Sequence, residues 1–357
     1  MAMQFDVAEL ALKILAPNNK LIYDDKGIPS VMVEIPKMKI KDLIDGGPDI
    51  VHPAFKVNGV EKDSIFISKY QNVVNNGRAY SLPGMDPRSN ITFNAADEAC
   101  SAKGDGWHVI TAAEWALLAL ICKKNGFLPW GNNSYGKDTR ETLYKAIPST
   151  YDAQNRTVHV LTGTGPLTWS HNGAIDGIWD LNGNVNEWIS GMRYVYGELQ
   201  LIPDSNAADR NISKAADSSA WKALDASTGE FITPNGLGTT ENSVKISLVG
   251  NVPTFTSGTI IQSQSSFSKA FKDIACDETI GDEAKAVMKA LAIIPDTTED
   301  VFEGDVHYFN NITEERVPYC GGSSGYGATA GVFCCTATYA RSSSYAILGF
   351  RSAYCEL

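Results

Sequence analysis

The residues best suited to redox or metal chemistry in this 357-residue chain are seven scattered cysteines. No C-x-x-C pair is present, so their spacing does not indicate a zinc site. Cys334 and Cys335 are adjacent and cannot easily bridge each other, which favours free thiols in a chain assembled in the cytoplasm. The five histidines stand apart, without H-x-H or H-E-x-x-H. A Ser–His–Asp site stays an open alternative, because one sequence does not show which of these residues meet in space.

Residues 175–190, I-D-G-I-W-D-L-N-G-N-V-N-E-W-I-S, offer oxygen ligands. Asp180 and Glu187 could share a hard cation such as Ca²⁺, aided by the carbonyl oxygens of Gly183 and Val185. Two carboxylates fall short of the roughly 6–8 oxygens that Ca²⁺ prefers. The alternative is that Asp180 caps a turn and Glu187 accepts backbone N–H bonds. Gly183 itself predicts a turn with positive φ.

The elements that must position these residues are short. Thr111-Ala-Ala-Glu114 is a capping box, and it predicts a helix that ends at Lys123-Lys124-Asn125-Gly126. Further helices are predicted before Pro17, at 94–103 with Asn94 as N-cap, and at 282–294. A strand at 31–35 and a hairpin turning at Asn58-Gly59 are also predicted.

The change in residue pattern along the chain predicts a small N-terminal module over 1–50 and one larger domain over 51–357. Residues 191–318 are less patterned and are predicted to be an insertion in that domain. Residues 319–357 then form its C-terminal region.

The net charge of −11 excludes a general nucleic-acid or anionic-membrane binder, because such binding needs clustered Lys and Arg. The N-terminus lacks the basic and apolar regions of a signal peptide. The longest strongly apolar run, 115–122, is too short to cross a bilayer. We therefore expect neither nucleic-acid binding nor membrane insertion.

Asp180-Leu-Asn-Gly-Asn-Val-Asn-Glu-Trp188 resembles the D-x-x-G-N-V-x-E-W motif of formylglycine-generating-enzyme-like domains. The ordered segments 111–119, 128–132 and 349–353 resemble that family's helix, "PWG" turn and "GFR" strand. The resemblance implies an α+β C-type lectin-like fold, in the formylglycine-generating-enzyme-like variant, with a calcium site at the loop around Asp180. Asn186 departs from the family's common aromatic residue.

Formylglycine-generating enzymes use two cysteines a few residues apart, just before "GFR", to bind copper and oxidise a substrate cysteine. Here Cys334 and Cys335 follow Cys320 by fourteen and fifteen residues, so that short spacing is not reproduced. Cys334 and Cys335 should also point to opposite faces of a strand. We therefore expect no enzyme, and keep a copper oxidase acting on a peptide cysteine as the alternative.

The segment from Gly321 to Tyr354 is rich in Gly, Ala, Ser and Tyr and contains no Lys, Asp or Glu. Its framework A-G-V-F, A-R-S-x-S and G-F-R-S-A resembles the variable region of proteins diversified by diversity-generating retroelements. In that family the intervening positions vary through adenines of Asn-type codons, which can yield Tyr, Ser, Thr, Ala, Gly, Ile and Cys. The corresponding residues are Ser323, Ser324, Gly325, Tyr326, Thr329, Cys335, Thr336, Thr338, Tyr339, Ser343, Tyr345, Ala346 and Ile347.

Tyr, Ser, Thr and Gly are also the residues of adaptable binding surfaces. We therefore predict a receptor-recognition protein, with framework residues such as Phe333 and Phe350 packed inward and the intervening side chains facing a partner. The partner would be a host cell-surface protein or glycan, and no cofactor would be required. The resemblance implies a phage or prophage tail protein, assembled in the cytoplasm beside other virion tail proteins, that gains avidity as a homotrimer.

Overall fold

The computed structural model describes residues 3–357, with side chains from residue 9 onward. It is a mixed α/β protein in which strands predominate over helices. Within the described residues, no helix is both long and apolar enough to cross a membrane. The four α-helices are α1 (Met3–Leu15), α2 (Phe93–Ser101), α3 (Ala112–Lys124) and α4 (Asp282–Ala290).

The strands are short, and most have two to five residues. The first twelve are β1 (Asn19–Tyr23), β2 (Pro29–Pro36), β3 (Lys56–Val57), β4 (Val60–Glu61), β5 (Ser64–Ser68), β6 (Val73–Asn75), β7 (Arg78–Tyr80), β8 (Trp107–Val109), β9 (Pro148–Tyr151), β10 (Thr157–Val160), β11 (Asn186–Trp188) and β12 (Met192–Val195). The remainder are β13 (Glu198–Leu201), β14 (Lys222–Leu224), β15 (Phe231–Ile232), β16 (Lys245–Val249), β17 (Val252–Thr256), β18 (Phe267–Ala270), β19 (Ala275–Cys276), β20 (Val306–Phe309), β21 (Tyr319–Cys320), β22 (Cys335–Ala337), β23 (Leu348–Phe350) and β24 (Ser352–Tyr354).

A five-stranded antiparallel sheet joins both ends of the chain in the order β1-β2-β5-β24-β8. The segment 1–50, predicted as a small N-terminal module, contributes β1 and β2 to this sheet. Strand β2 pairs with β5 from Met32–Ser68 to Pro36–Ser64. The N-terminal strands therefore extend a sheet whose other members come from 51–357.

A six-stranded sheet of order β18-β20-β22-β21-β11-β23 carries the C-terminal region. Its pairs are antiparallel except β20 with β22 and β11 with β23, which are parallel. Arg351 connects β23 of this sheet with β24 of the five-stranded sheet. The chain thus passes from one sheet to the other at a single residue, and this fixes where the Arg351 side chain must lie.

The segment 191–318 builds a seven-stranded sheet of its own, β15-β14-β13-β16-β17-β19, with β12 paired to β13. It also supplies β18 and β20 to the six-stranded sheet. Helix α4 lies in this segment and contacts α3. The predicted insertion is therefore joined to the C-terminal region through shared strand pairing.

The helix ends show how far local sequence determines structure. The capping box of α3 is confirmed: Thr111 Oγ1 accepts from the Glu114 N–H and a Glu114 carboxylate oxygen accepts from the Thr111 N–H. The predicted N-cap of α2 is wrong, because Thr92 rather than Asn94 caps that helix. Helix α4 ends at Ala290, four residues before the predicted end.

Candidate ligand-binding face

The side chain of Arg351 is fully buried and holds the two sheets together. Its Nε and Nη2 donate to the two carboxylate oxygens of Glu187 at 2.5 and 2.6 Å. Two of its three other N–H groups donate to the carbonyl oxygens of Ser68 and Trp179, each at 3.0 Å. A buried charge needs a partner and hydrogen bonds, and this guanidinium has both.

Four oxygen atoms of the residues predicted to bind calcium lie around one amide nitrogen, although the Asp180 oxygen is its carbonyl and not its carboxylate. Gln71 Nε2 lies 3.1 Å from the Asp180 carbonyl oxygen, 3.3 Å from that of Gly183 and 3.0 Å from that of Val185. It also lies 3.0 Å from Glu187 Oε1. The amide donor occupies the point that these oxygens share, and Arg351 pairs with both oxygens of Glu187. These hydrogen bonds satisfy the oxygens without a metal ion, and calcium binding by the four predicted residues stays a prediction.

The Asp180 carboxylate accepts from a backbone N–H outside its own turn, and Glu187 pairs with side chains, so the turn-capping alternative is not reproduced. Asp180 has φ of 63°, and its Oδ2 accepts from the Gly163 N–H at 3.1 Å. Its Oδ1 is buried without a hydrogen-bond partner. Burial raises the pKa of Asp180 to about 6, against the lowering effect of the Gly163 N–H. Asn184 Nδ2 donates to Gln71 Oε1 at 2.9 Å. We call Gln71, Asp180, Asn184, Glu187 and Arg351 the polar centre.

A buried carboxylate holds the end of the loop that leads into β22. Asp305 Oδ2 accepts from the Phe333 N–H at 2.8 Å. A Cβ atom at Gly331 would lie only 2.1 Å from Asp305 Oδ1, so this position requires glycine for space. The Phe333 ring stacks on Phe271 with centroids 5.0 Å apart. Phe333 and Phe350 are both buried, so the prediction that they pack inward is confirmed.

Nine of the thirteen predicted contact residues keep solvent exposure and lie in or beside the loops that flank β22 and β23. Tyr345 is the most exposed large side chain among them, at 48%. Whether they contact a ligand stays a prediction. We call this set the binding face: Gly325, Tyr326, Thr329, Thr338, Tyr339, Ser343, Tyr345, Ala346 and Ile347.

Three of the other four are buried, which corrects the prediction that they face solvent, and the fourth, Cys335, is partly exposed on β22. Ser323 and Ser324 are buried, and the Ser324 carbonyl accepts from the Tyr135 N–H at 3.0 Å. Thr336 is buried because β22 is an inner strand, between β20 and β21. Cys335 is paired across the strands with buried Cys320 and lines the same small internal cavity. The three buried positions belong to the scaffold, and Cys335 lies on a strand of it rather than in the loops.

Three tyrosines lead from the core to the binding face, and we call them the tyrosine row. Tyr319 is buried and meets the Trp188 ring edge-on at 5.4 Å. Tyr339 stacks on Tyr319 at 5.2 Å, and Tyr345 lies against Tyr339 at 4.7 Å. Burial raises the pKa of both Tyr319 and Tyr339, so these phenols stay neutral at physiological pH.

Residues distant in sequence border the binding face, and no local pattern could have identified them. Arg156 lies over the ring of Tyr135, 4.0 Å from its centroid, and Tyr135 also binds the backbone of Ser324. On another side, His159 Nε2 lies 2.9 Å from the Ala346 carbonyl oxygen. The loops that carry the face are therefore held by residues from the middle of the chain.

The structure revises the argument from cysteine spacing. Cys320 on β21 lies directly opposite Cys335 on β22, although fifteen positions separate them. Two thiols therefore meet even without a short spacing. Burial and the neighbouring Cys335 thiol raise the pKa of Cys320 well above its ordinary value, which disfavours the thiolate. The described residues contain no group of three or more His, Cys, Asp or Glu arranged to hold a metal ion.

Comparisons with known proteins find one weak structural similarity. No family model and no curated protein matches this chain. Among solved structures, PvdO from Pseudomonas aeruginosa is similar with 11% sequence identity and a TM-score of 0.32. The match covers 94% of this chain and 97% of PvdO. A similarity at this level carries no argument about fold or function.

Proposed function

We propose that this protein is a receptor-recognition protein that displays a diversified surface on a C-type lectin-like scaffold of the formylglycine-generating-enzyme-like variant. The binding face would contact a protein or glycan on a host cell. The observation that supports this most is the separation within one segment: the framework residues Phe333, Phe350 and Arg351 are buried, while Tyr345 and its neighbours are exposed. Side chains on such loops can change without disturbing the core.

The composition of the binding face supports recognition rather than chemistry. It contains three tyrosines, two threonines and one serine but no charged residue. Tyrosine brings a large contact area at a low entropic cost, and small hydroxyl side chains adapt their hydrogen bonds to a partner. Diversification by a retroelement, and a place in a phage or prophage tail, are parts of the same proposal.

Assembly as a homotrimer belongs to the proposal as well. Leu10, Ile14 and Leu15 of α1 are exposed apolar residues, at 59%, 71% and 65%. Exposed apolar clusters mark interaction sites. Light scattering should give three times the mass of one chain, and Leu10→Ser with Ile14→Ser should reduce it. A monomer in the unmodified protein would contradict this part.

The proposal is tested by labelling the protein with a fluorophore and measuring its adsorption to a panel of bacterial cells. Saturable adsorption to some cells is expected, and Tyr345→Ala should abolish it because it removes the most exposed large side chain of the binding face. Tyr144→Ala is the matched control, since Tyr144 is an exposed tyrosine outside the C-terminal region. Equal loss in both variants, or adsorption to every cell type, would contradict the binding face.

The genetic part has its own test. Sequencing of the flanking DNA should find a reverse transcriptase and a near-copy of the stretch coding for 321–354. The near-copy should differ at adenines of the codons for binding-face residues. Absence of both would leave a fixed binding surface and contradict diversification.

The alternative is a formylglycine-generating-enzyme-like copper oxidase that acts on a peptide cysteine. One observation favours it, the opposed pair Cys320 and Cys335. Titration with Cu(I) under anaerobic conditions, followed by an assay of thiol oxidation in a peptide, separates the two functions. Tight binding of one Cu(I) with turnover, lost in Cys335→Ser, would replace the binding proposal.

A further inference from the structure

The opposed cysteines occupy a pairing position that permits a covalent bond. The Gly321 N–H donates to the Cys334 carbonyl at 3.0 Å, beside the Cys320–Cys335 pair rather than within it. That pattern makes Cys320 and Cys335 a non-hydrogen-bonded pair of an antiparallel ladder, where Cα atoms are about 4.5 Å apart. Disulfides span Cα separations of about 4.4–6.8 Å, so the backbone needs no rearrangement.

We propose that Cys320 and Cys335 form a reversible cross-strand disulfide that fixes β21 to β22 beneath the binding face. Both side chains lie on one side of the sheet, because directly paired residues share a face. They also line one small internal cavity, of about 20 Å³, together with Trp115 and Tyr194. The remaining cysteines in the described part of the chain lack such a cross-strand cysteine partner.

The unequal exposure of the two thiols sets the order of reaction. Cys335 is partly exposed and Cys320 is buried. The Cys335 thiolate would attack glutathione disulfide, so that an S–S bond forms to one glutathione and the other leaves as a thiol. Cys320 would then attack the Cys335 sulfur and release the second glutathione thiol. Two electrons pass from the protein thiols to glutathione disulfide, and the two protons end on the glutathione thiols.

The disulfide would fix the two strands that lead to the tyrosine row. Tyr319 precedes Cys320, and the loop after β22 leads to Tyr339. Joining the strands closes the hairpin that contains Gly321 to Cys334, and a closed loop restricts the unfolded chain. Cys335 is also one of the positions predicted to vary. A variant with the same fold but another residue at this position would therefore lack the disulfide.

The inference is tested on the full-length, unmodified protein, reduced, freed of copper with a chelator and then equilibrated with glutathione disulfide. Peptide mapping without reductant should find Cys320 linked to Cys335, and dithiothreitol should reverse the link. The midpoint of guanidinium unfolding should be higher for the oxidised protein. Neither measurement depends on the proposed binding function, so the two proposals can fail separately.

Two variants sharpen the result. Cys334→Ala removes the neighbouring thiol and should leave the crosslink and the rise in midpoint intact. Cys335→Ser should lose both, and Cys335→Ala serves if the serine variant does not fold. The proposal is overturned if glutathione stays on Cys335 as a stable mixed disulfide. It is also overturned if Cys334 is crosslinked instead, or if no crosslink forms in an excess of glutathione disulfide.

Discussion

The polar centre and the tyrosine row are built on neighbouring strands but differ in the burial of their side chains. In the polar centre, Arg351 and Glu187 are buried and bonded to each other. In the tyrosine row, burial decreases from Tyr319 through Tyr339 to Tyr345. Strand β11 is shared by both, since it carries Glu187 and is paired with β21.

The difference teaches how a surface can be open to change while the backbone beneath it stays fixed. Apart from Asp180, the polar-centre residues join several segments, as Gln71 does by contacting three carbonyl oxygens and Glu187. Loss of one such residue leaves buried partners unsatisfied. Loss of Tyr345 removes contacts to one ring at the surface. The cost of substitution should therefore decrease steeply from Glu187 and Arg351 to Tyr345.

The largest effect is expected from breaking the buried ion pair. Glu187→Gln or Arg351→Met leaves an uncompensated buried charge, which costs about 3–5 kcal/mol of unfolding free energy. The double variant should lose much less than the sum of the two, because neither charge remains. Chemical denaturation of the four proteins gives the coupling energy. Additive losses would show that the pair does not act as a unit.

Asp180 offers a test within the polar centre that depends on pH. Its pKa is raised to about 6 in the folded protein, so the folded state binds more protons than the unfolded state above pH 4. Its contribution to stability therefore falls as pH rises from about 4 to about 6 and stays low above that. Asp180→Asn should stabilise the protein by about 2–3 kcal/mol at pH 7, with little change below pH 4.

Buried histidines make stability change with pH in the opposite direction. The quantity to measure is therefore the difference in unfolding free energy between the unmodified protein and Asp180→Asn. Burial lowers the pKa of His52 and His171 to about 4 and that of His307 to about 3. Each histidine therefore adds stability as pH rises towards 6.5. Subtracting the unfolding free energies of the two proteins at each pH cancels these histidines. A flat difference from pH 4 to 7 would refute the assignment to Asp180.

Gly331→Ala examines the scaffold just before β22. The new methyl group would meet the Asp305 carboxylate that accepts from Phe333, so the hairpin or the carboxylate must move. We expect a loss of about 2 kcal/mol in unfolding free energy. Gly325→Ala is the control, because the nearest atom is the Tyr135 hydroxyl oxygen at 3.1 Å. A change within about 0.5 kcal/mol is expected there.

Local signals in the sequence predicted the elements that depend on neighbouring residues. The capping box of α3 and the positive φ of Gly183, which is 79°, are confirmed. Partners far apart in the chain could not be predicted this way. Gln71 lies more than a hundred positions from the carbonyls it binds, and its sequence context gives no sign of this role.

The contact residues show the same limit. Composition identified the C-terminal segment, and the exposure of Tyr345 and Ala346 agrees with the prediction. Strand register then decides which side each residue faces, and a shift of one residue reverses it. Register depends on the pairing of β22 with both β20 and β21. The burial of Thr336 and the meeting of Cys335 with Cys320 therefore required the structure.

The smallest effects on stability are expected at the outer end of the tyrosine row. Tyr339→Ala removes a ring stacked on Tyr319 and should cost about 1 kcal/mol. Tyr345→Ala removes the most exposed ring and should change the unfolding free energy by about 0.5 kcal/mol or less. Both should abolish cell adsorption, so adsorption and stability separate best at Tyr345. A loss of several kcal/mol in Tyr345→Ala would place this ring in the core and remove the contrast between the two clusters.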